Sequence, residues 1–262
     1  MSSLALAGVL YRLYSVCTAF RLYRICTSTT RVPLPPHSLP ADSAPFDHPI
    51  FSESLRRIRA LLAEQPLTPH GPQLDTLPPA EQDVLLRVIH SGGDISLAAD
   101  LRWSPDACTA GLEALAAGAT VLTDTAMAVA AVAPMARRTF GNPVRSVLDW
   151  APEPAPPGST RAAVGMERAL SELSSCVVLI GSAPTALEQL LALVAGGACP
   201  APALVIGMPV GFVGVAESKR HLAEAHHLPQ IRLEGSRGGA GLVGAAANAL
   251  LRRAWLDQAA AG

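Results

Sequence analysis

Apolar positions along the chain fall into two kinds of run. From residue 49 to about 118 they recur every three or four positions, with charged side chains between them. Beyond that, short unbroken apolar runs alternate with longer amphipathic ones. The first spacing predicts helices with one buried face, and the second predicts strands covered on both faces by helices. A helix is expected over 49–63, with Ile50, Leu55, Ile58, Leu61 and Leu62 on its apolar side, followed by a proline- and glycine-rich loop over 66–74. Pro78 or Pro79 fits the first turn of a second helix, which has Glu81 and Asp83 near its positive end and stops at Gly92-Gly93. A third runs from Pro105 through Leu115 to Gly118. Strands are expected at 119–123, 145–148, 176–180, 203–206 and 230–233. Strands alternating with helices predict an α/β fold: a single doubly wound, mostly parallel sheet flanked by helices, preceded by an N-terminal helical segment. In such a sheet the loops leaving the carboxyl ends of the strands converge on one crevice. Asp124 and the turns at Gly181, Gly207 and Gly235 all sit at that edge.

Length and composition narrow this. The 262 residues suffice for one domain, expected over 48–255, with an extension over 1–47 and a short tail over 256–262. The extension holds Arg12, Arg21, Arg24 and Arg31, no acid before Asp42, and a proline-rich end. That is the composition of a targeting peptide, but a disordered extension or a start codon assigned too early is the favoured expectation. A net charge of −1 argues against nucleic-acid binding. Five cysteines without a Cys-x-x-Cys pair suit a reducing cytoplasm and argue against a disulfide scaffold or zinc site. No uninterrupted apolar run reaches the length of a membrane span.

Candidate chemistry begins on the second helix. At about 100° per residue Val84, Leu85, Val88 and Ile89 share one face, while Asp83, Arg87 and His90 lie together on the other. At the helix's last turn the dipole favours a charged His90, and an imidazolium is a sensible proton donor to a basic ring nitrogen. An exposed ion-pair face with a capping histidine has the same spacing. Ser159-Thr160-Arg161 opens a later helix, where free N–H groups and a planar guanidinium suit a carboxylate, although Ser159 or Thr160 as a plain cap fits too. His221, His226 and His227 read as solvated rather than as a metal cluster. The stretch from Ala203 to Lys219 is an apolar strand broken by Gly207, Pro209, Gly211 and Gly214 before Glu217-Ser218-Lys219 opens a helix. It is neither a Walker loop nor a dinucleotide fingerprint.

Several strings, in order, resemble one family. Arg87-Val-Ile-His90, Gly158-Ser-Thr-Arg161, Ile180-Gly-Ser-Ala-Pro-Thr-Ala-Leu187, Gly207-Met-Pro-Val-Gly-Phe-Val-Gly214 with Glu217-Ser-Lys219, and Gly235-Ser-Arg-Gly-Gly239 leading to Asn248-Ala-Leu250 are similar to segments of the precorrin-8X methylmutases of cobalamin biosynthesis. Asp124-Thr-Ala-Met127 matches a further element in part, with Ala128 and Ala131 in place of the usual Val and Gly. In the amino-terminal element Ser54 is kept, while Glu53 stands where the family has Arg and Leu55 where it has Phe. The resemblance implies an isomerase that moves a methyl group from C11 to C12 of precorrin-8X or cobalt-precorrin-8, formally a 1,5-sigmatropic shift needing no redox cofactor, resident metal or covalent nucleophile. It implies His90 as the proton donor. Substrate contacts would come from Ser54, Arg87, Asp124, Thr160, Arg161, Gly207, Lys219 and Arg237, the last two as partners for substrate carboxylates. It also implies a cytoplasmic homodimer with the site near the subunit interface. The departures at Glu53, Leu55 and Ala131 leave open a tetrapyrrole-binding protein with impaired catalysis. A nucleotide-binding α/β enzyme has the same sheet but lacks phosphate motifs here.

Overall fold

The computed structural model describes residues 46–64 and 74–261. The extension expected over 1–47 therefore lies outside the described residues except at its end, as does most of the loop over 66–74. Helices are α1 (Pro49–Glu64), α2 (Pro79–Gly92), α3 (Ala107–Ala116), α4 (Ala126–Arg138), α5 (Arg161–Glu172), α6 (Pro184–Ala195), α7 (Val215–Glu224) and α8 (Ala240–Ala261). Strands are β1 (Leu101–Trp103), β2 (Thr120–Thr123), β3 (Val144–Ser146), β4 (Cys176–Ile180), β5 (Leu204–Gly207) and β6 (Gln230–Leu233). They form one six-stranded sheet in the order β1-β6-β5-β4-β2-β3. Every pairing is parallel except β1 with β6.

Side chains alternate across a strand, and that alternation divides the core. Val177, Leu179, Leu204 and Ile206 face the layer made by α2, α3, α4 and α8. Val178, Ile180 and Val205 face α5, α6 and α7. Both layers are apolar, so β4 reads as an unbroken buried run. α8 lies centrally in the first layer, against α2, α3 and α4. It continues to Ala261 with an Arg253–Asp257 ion pair, so the segment expected as a tail is helical.

Local chemistry explains the element ends near the site. Pro78 and Pro79 open α2, where a missing N–H costs nothing. Gly93 closes it in the left-handed region at φ 63°, its N–H donating to the Ile89 carbonyl at 2.8 Å. Asp94 then caps the next turn by accepting from Ser96 N–H at 2.9 Å. β3 is shorter than expected because Ser146 Oγ accepts from Leu148 N–H at 3.2 Å and starts a tight helical turn. β1, which the sequence reading omitted, is a three-residue antiparallel edge strand.

Candidate functional site

Two neighbouring constructions emerge, one from α1 and α2 and one from the loops at the carboxyl edge of the sheet. In the first, residues three apart on one helix meet residues three apart on the other. Ser54 Oγ lies 2.7 Å from His90 Nδ1. The Phe51 ring stands edge-on to the His90 ring, with centroids 5.1 Å apart, and the Arg87 guanidinium lies 4.4 Å from the Phe51 centroid. Phe51 was absent from the candidate residues; its spacing to Ser54 on α1 was the available signal.

The charge state of His90 differs from the dipole argument. Burial, and after it the Arg87 guanidinium, hold its pKa below the ordinary histidine value. In the neutral tautomer protonated on Nε2, Ser54 donates its O–H to Nδ1 and Nε2–H is left to serve as a donor. Asp83 also differs from expectation. It lies 3.6 and 3.5 Å from Arg252 and Arg253 of α8 and belongs to that ion-pair group, together with Asp47. Glu53 bonds to Arg56 and Arg57, which hold its carboxyl well below the usual range, so the residue in the family's Arg position sits in a cluster of net positive charge.

The second construction is tied together through the main chain. Asp124, buried at the end of β2, accepts on Oδ2 from the N–H groups of Gly181, Ser182 and Ala183 at 3.0, 2.6 and 2.7 Å. It thereby joins β2 to the start of α6. Burial pushes its carboxyl up, against the pull of those donors. Met208 N–H donates to Ile180 O at 2.8 Å, Val210 N–H to Gly181 O at 3.1 Å, Gly211 N–H to Ser236 O at 3.1 Å and Gly239 N–H to Met208 O at 2.9 Å. Such closeness needs glycine: a Cβ on Gly238 would sit on the Met208 carbonyl, and one on Gly181 would lie 2.7 Å from Ala240 N.

Three expected ligand contacts are occupied within the protein. Gly207 faces Leu222 and leaves no room for a Cβ there, which is a packing role. Lys219 is 3 % exposed, and its Nζ donates to the carbonyls of Gly235 and Arg237 at 2.8 and 2.6 Å. It holds the β6–α8 loop instead of reaching for a carboxylate, and burial lowers its pKa to about 8. Arg237 is paired with Asp94 at 2.7 Å and with Asp100, so its charge is already balanced. Arg237 nonetheless lines a cleft of 410 Å³ together with Ser91, Gly92, Val210 and Leu242, at the end of α2.

Thr160 caps α5, accepting from Ala163 N–H at 3.1 Å, and its hydroxyl meets that of Thr185 on α6 at 2.8 Å. Arg161 follows, with Nη1 3.7 Å from Glu153 and a buried Nε lacking a hydrogen-bond partner. Asp124 and Thr160 thus meet the start of α6, with Arg161 next in the chain to Thr160, and among the described residues none of the three bonds to the His90 group. Among the described residues, His221 pairs with Glu188 at 2.8 Å while His226 and His227 are exposed. Among the described residues no group of three His, Cys, Asp or Glu side chains is placed to hold a metal ion, and no helix is long and apolar enough to cross a membrane.

The family model described as precorrin-8X methylmutase matches residues 49–253. This chain belongs to the precorrin-8X methylmutase family. A cobalt-precorrin-8 methylmutase of Synechocystis sp. is 37% identical over 227 residues, covering 81% of this chain and 99% of that protein. A precorrin-8X methylmutase of Pseudomonas aeruginosa is 45% identical over 177 residues, covering 66% and 84%. The crystal structure of precorrin-8X methylmutase from Thermus thermophilus superimposes with a TM-score of 0.67 at 38% identity, covering 79% of this chain and 96% of that one. The described helices and parallel strands are thus a precorrin-8X methylmutase fold, and its signature strings are the loops tied together above.

Proposed function

We propose that this protein is an isomerase that moves the C11 methyl of precorrin-8X, or of its cobalt-containing counterpart, to C12, giving hydrogenobyrinate or cobyrinate. The family match over residues 49–253 carries the reading. The methyl group migrates with its bonding pair along the conjugated system, so no atom is gained or lost. What the protein must supply is a held geometry and a polarised macrocycle.

His90 is the proton donor in this reading. Ser54 fixes one ring nitrogen, at 2.7 Å, and Phe51 fixes the ring plane, which leaves Nε2 as the group that serves the substrate. A hydrogen bond from Nε2–H of the neutral ring, or a proton from the ring once it is charged, to a pyrrolic nitrogen draws electron density from the carbon framework and eases the shift; a transferred proton returns to Nε2 when the product leaves. Arg87 and Arg161 are the cations assigned to substrate carboxylates, with Thr160 and the Asp124-bound turn shaping the wall. Gly207, Lys219 and Arg237 act by keeping the loops in place. The exposed apolar loop tip at Phe212 and Val213, 96% and 88% accessible, supports a homodimer with the site near the subunit boundary, and membership of a biosynthetic enzyme family supports a cytoplasmic location. Incubating the protein with precorrin-8X and with cobalt-precorrin-8 tests the reading. Appearance of the corrinoid product spectrum with either one is expected, and no turnover of both would overturn it.

A further inference from the structure

Among the described residues, Arg87 is the member of the α1–α2 group whose charge no side chain pairs. Its guanidinium lies over the Phe51 ring at 4.4 Å, and among the described residues it has neither a hydrogen bond nor an ion pair. Other cations nearby are answered. Arg252 is paired with Asp47 and Asp83, Arg253 with Asp83 and Asp257, and Arg237 with Asp94 and Asp100. Arg87 is half-buried, and burial together with the neighbouring Arg252 works against its charge, with Asp47 opposing. A half-buried guanidinium without an anion is a poor resting state and a good receptor for a carboxylate.

Arg87 and His90 are three residues apart on α2, on one face, with the Phe51 ring between them. We propose that Arg87 is a positioning residue that takes a substrate carboxylate and thereby lets His90 acquire, from solvent, the proton it then lends to the macrocycle. In the free protein Arg87 repels a charged imidazole; with a carboxylate on Arg87 that repulsion is cancelled and the imidazolium is favoured. The device loads the acid only when substrate is seated. It rests on the assignment of His90 as proton donor made above.

The other groups around His90 do not supply this coupling. From α1 come Ser54 and Phe51, which do not titrate in this range, and Glu53, which is half-exposed and bound to Arg56 and Arg57. From α8 come Arg252 and Arg253, held in the pairs named. Beyond the helix end lies Asp94, held by Arg237 and Ser96. α3 meets α2 near its first turn, where Cys108 faces Glu81. Among the described residues, Arg87 is the charge that acts on His90 directly.

The test is a pH titration of the His90 ring proton by NMR, assigned with His90→Gln, in the protein alone and with hydrogenobyrinate as the probe. Product binding should raise the His90 pKa. Arg87→Met should raise it in the protein alone and abolish the further rise, while Arg87→Lys should keep the low value. Turnover by Arg87→Met should show a loss of ~10- to 100-fold in kcat/KM, as for a charge-assisted hydrogen bond. Product that binds, seen as a shifted absorption spectrum, without moving His90 overturns the coupling alone. Product that does not bind overturns the substrate reading and the proposal with it. Should Arg87→Met fail to fold by circular dichroism, the titration of the unmodified protein with and without product decides.

Discussion

The α1–α2 corner and the tied loops at the carboxyl edge of the sheet are held in opposite ways. In the loops, main-chain N–H groups and carbonyls meet directly, as Gly239 does with Met208 at 2.9 Å, and side chains are missing where strands and turns come closest. In the corner, side chain meets side chain, as Ser54 does with His90 at 2.7 Å. The loops carry the rare strings by which the family is recognised; the corner carries Arg-x-x-His and little else. Distinctive sequence here marks backbone confinement, where few residue types fit, whereas the groups able to exchange protons sit where the helices tolerate many neighbours.

Substitutions should separate the two regions. The largest effect on the fold is expected from Gly238→Ala, because the new methyl would overlap the Met208 carbonyl. Backbone cannot yield as a side-chain tip does, so a loss of ~3 kcal/mol or more is expected in urea unfolding. A stable Gly238→Ala protein would mean that the loops are not confined as described. A smaller effect is expected at Lys219, the single lysine of the chain. Lys219→Met should lose ~1–3 kcal/mol at neutral pH, since two carbonyls lose their donor. Its pH signature is specific. The folded amine has a pKa of about 8 against an ordinary 10.5. Between those values the unfolded chain retains a proton that the folded one has released, so stability rises with pH across that window. The difference in unfolding free energy between the protein and Lys219→Met should therefore grow from pH 8 to pH 10, and a constant difference would show that burial does not shift this amine.

How much of this was readable in the sequence follows the same division. β4 and β5 were legible because an unbroken apolar run buried on both faces has few other readings. β1 was not, since Leu101-Arg102-Trp103 is three residues long and its place depends on pairing with Leu233 to Ile231 far along the chain. The face of α2 was half legible. Arg87 and His90 do fall together, but the partners of Asp83 are arginines of α8 that no local spacing announces. The direction in which His90 is shifted was not legible, because a helix end is visible in sequence and burial is not. Lys219 and Arg237 looked like free cations for the same reason: their partners are carbonyls and aspartates brought in by the fold.

The central claim is that proton chemistry resides in the α1–α2 corner while the loops serve as its wall. Turnover and product binding by His90→Ala test it most directly. Isomerisation should fall ~100- to 10,000-fold, the range of a lost general acid, while hydrogenobyrinate still binds and stability stays near that of the unmodified protein. Undiminished turnover by His90→Ala would contradict the account.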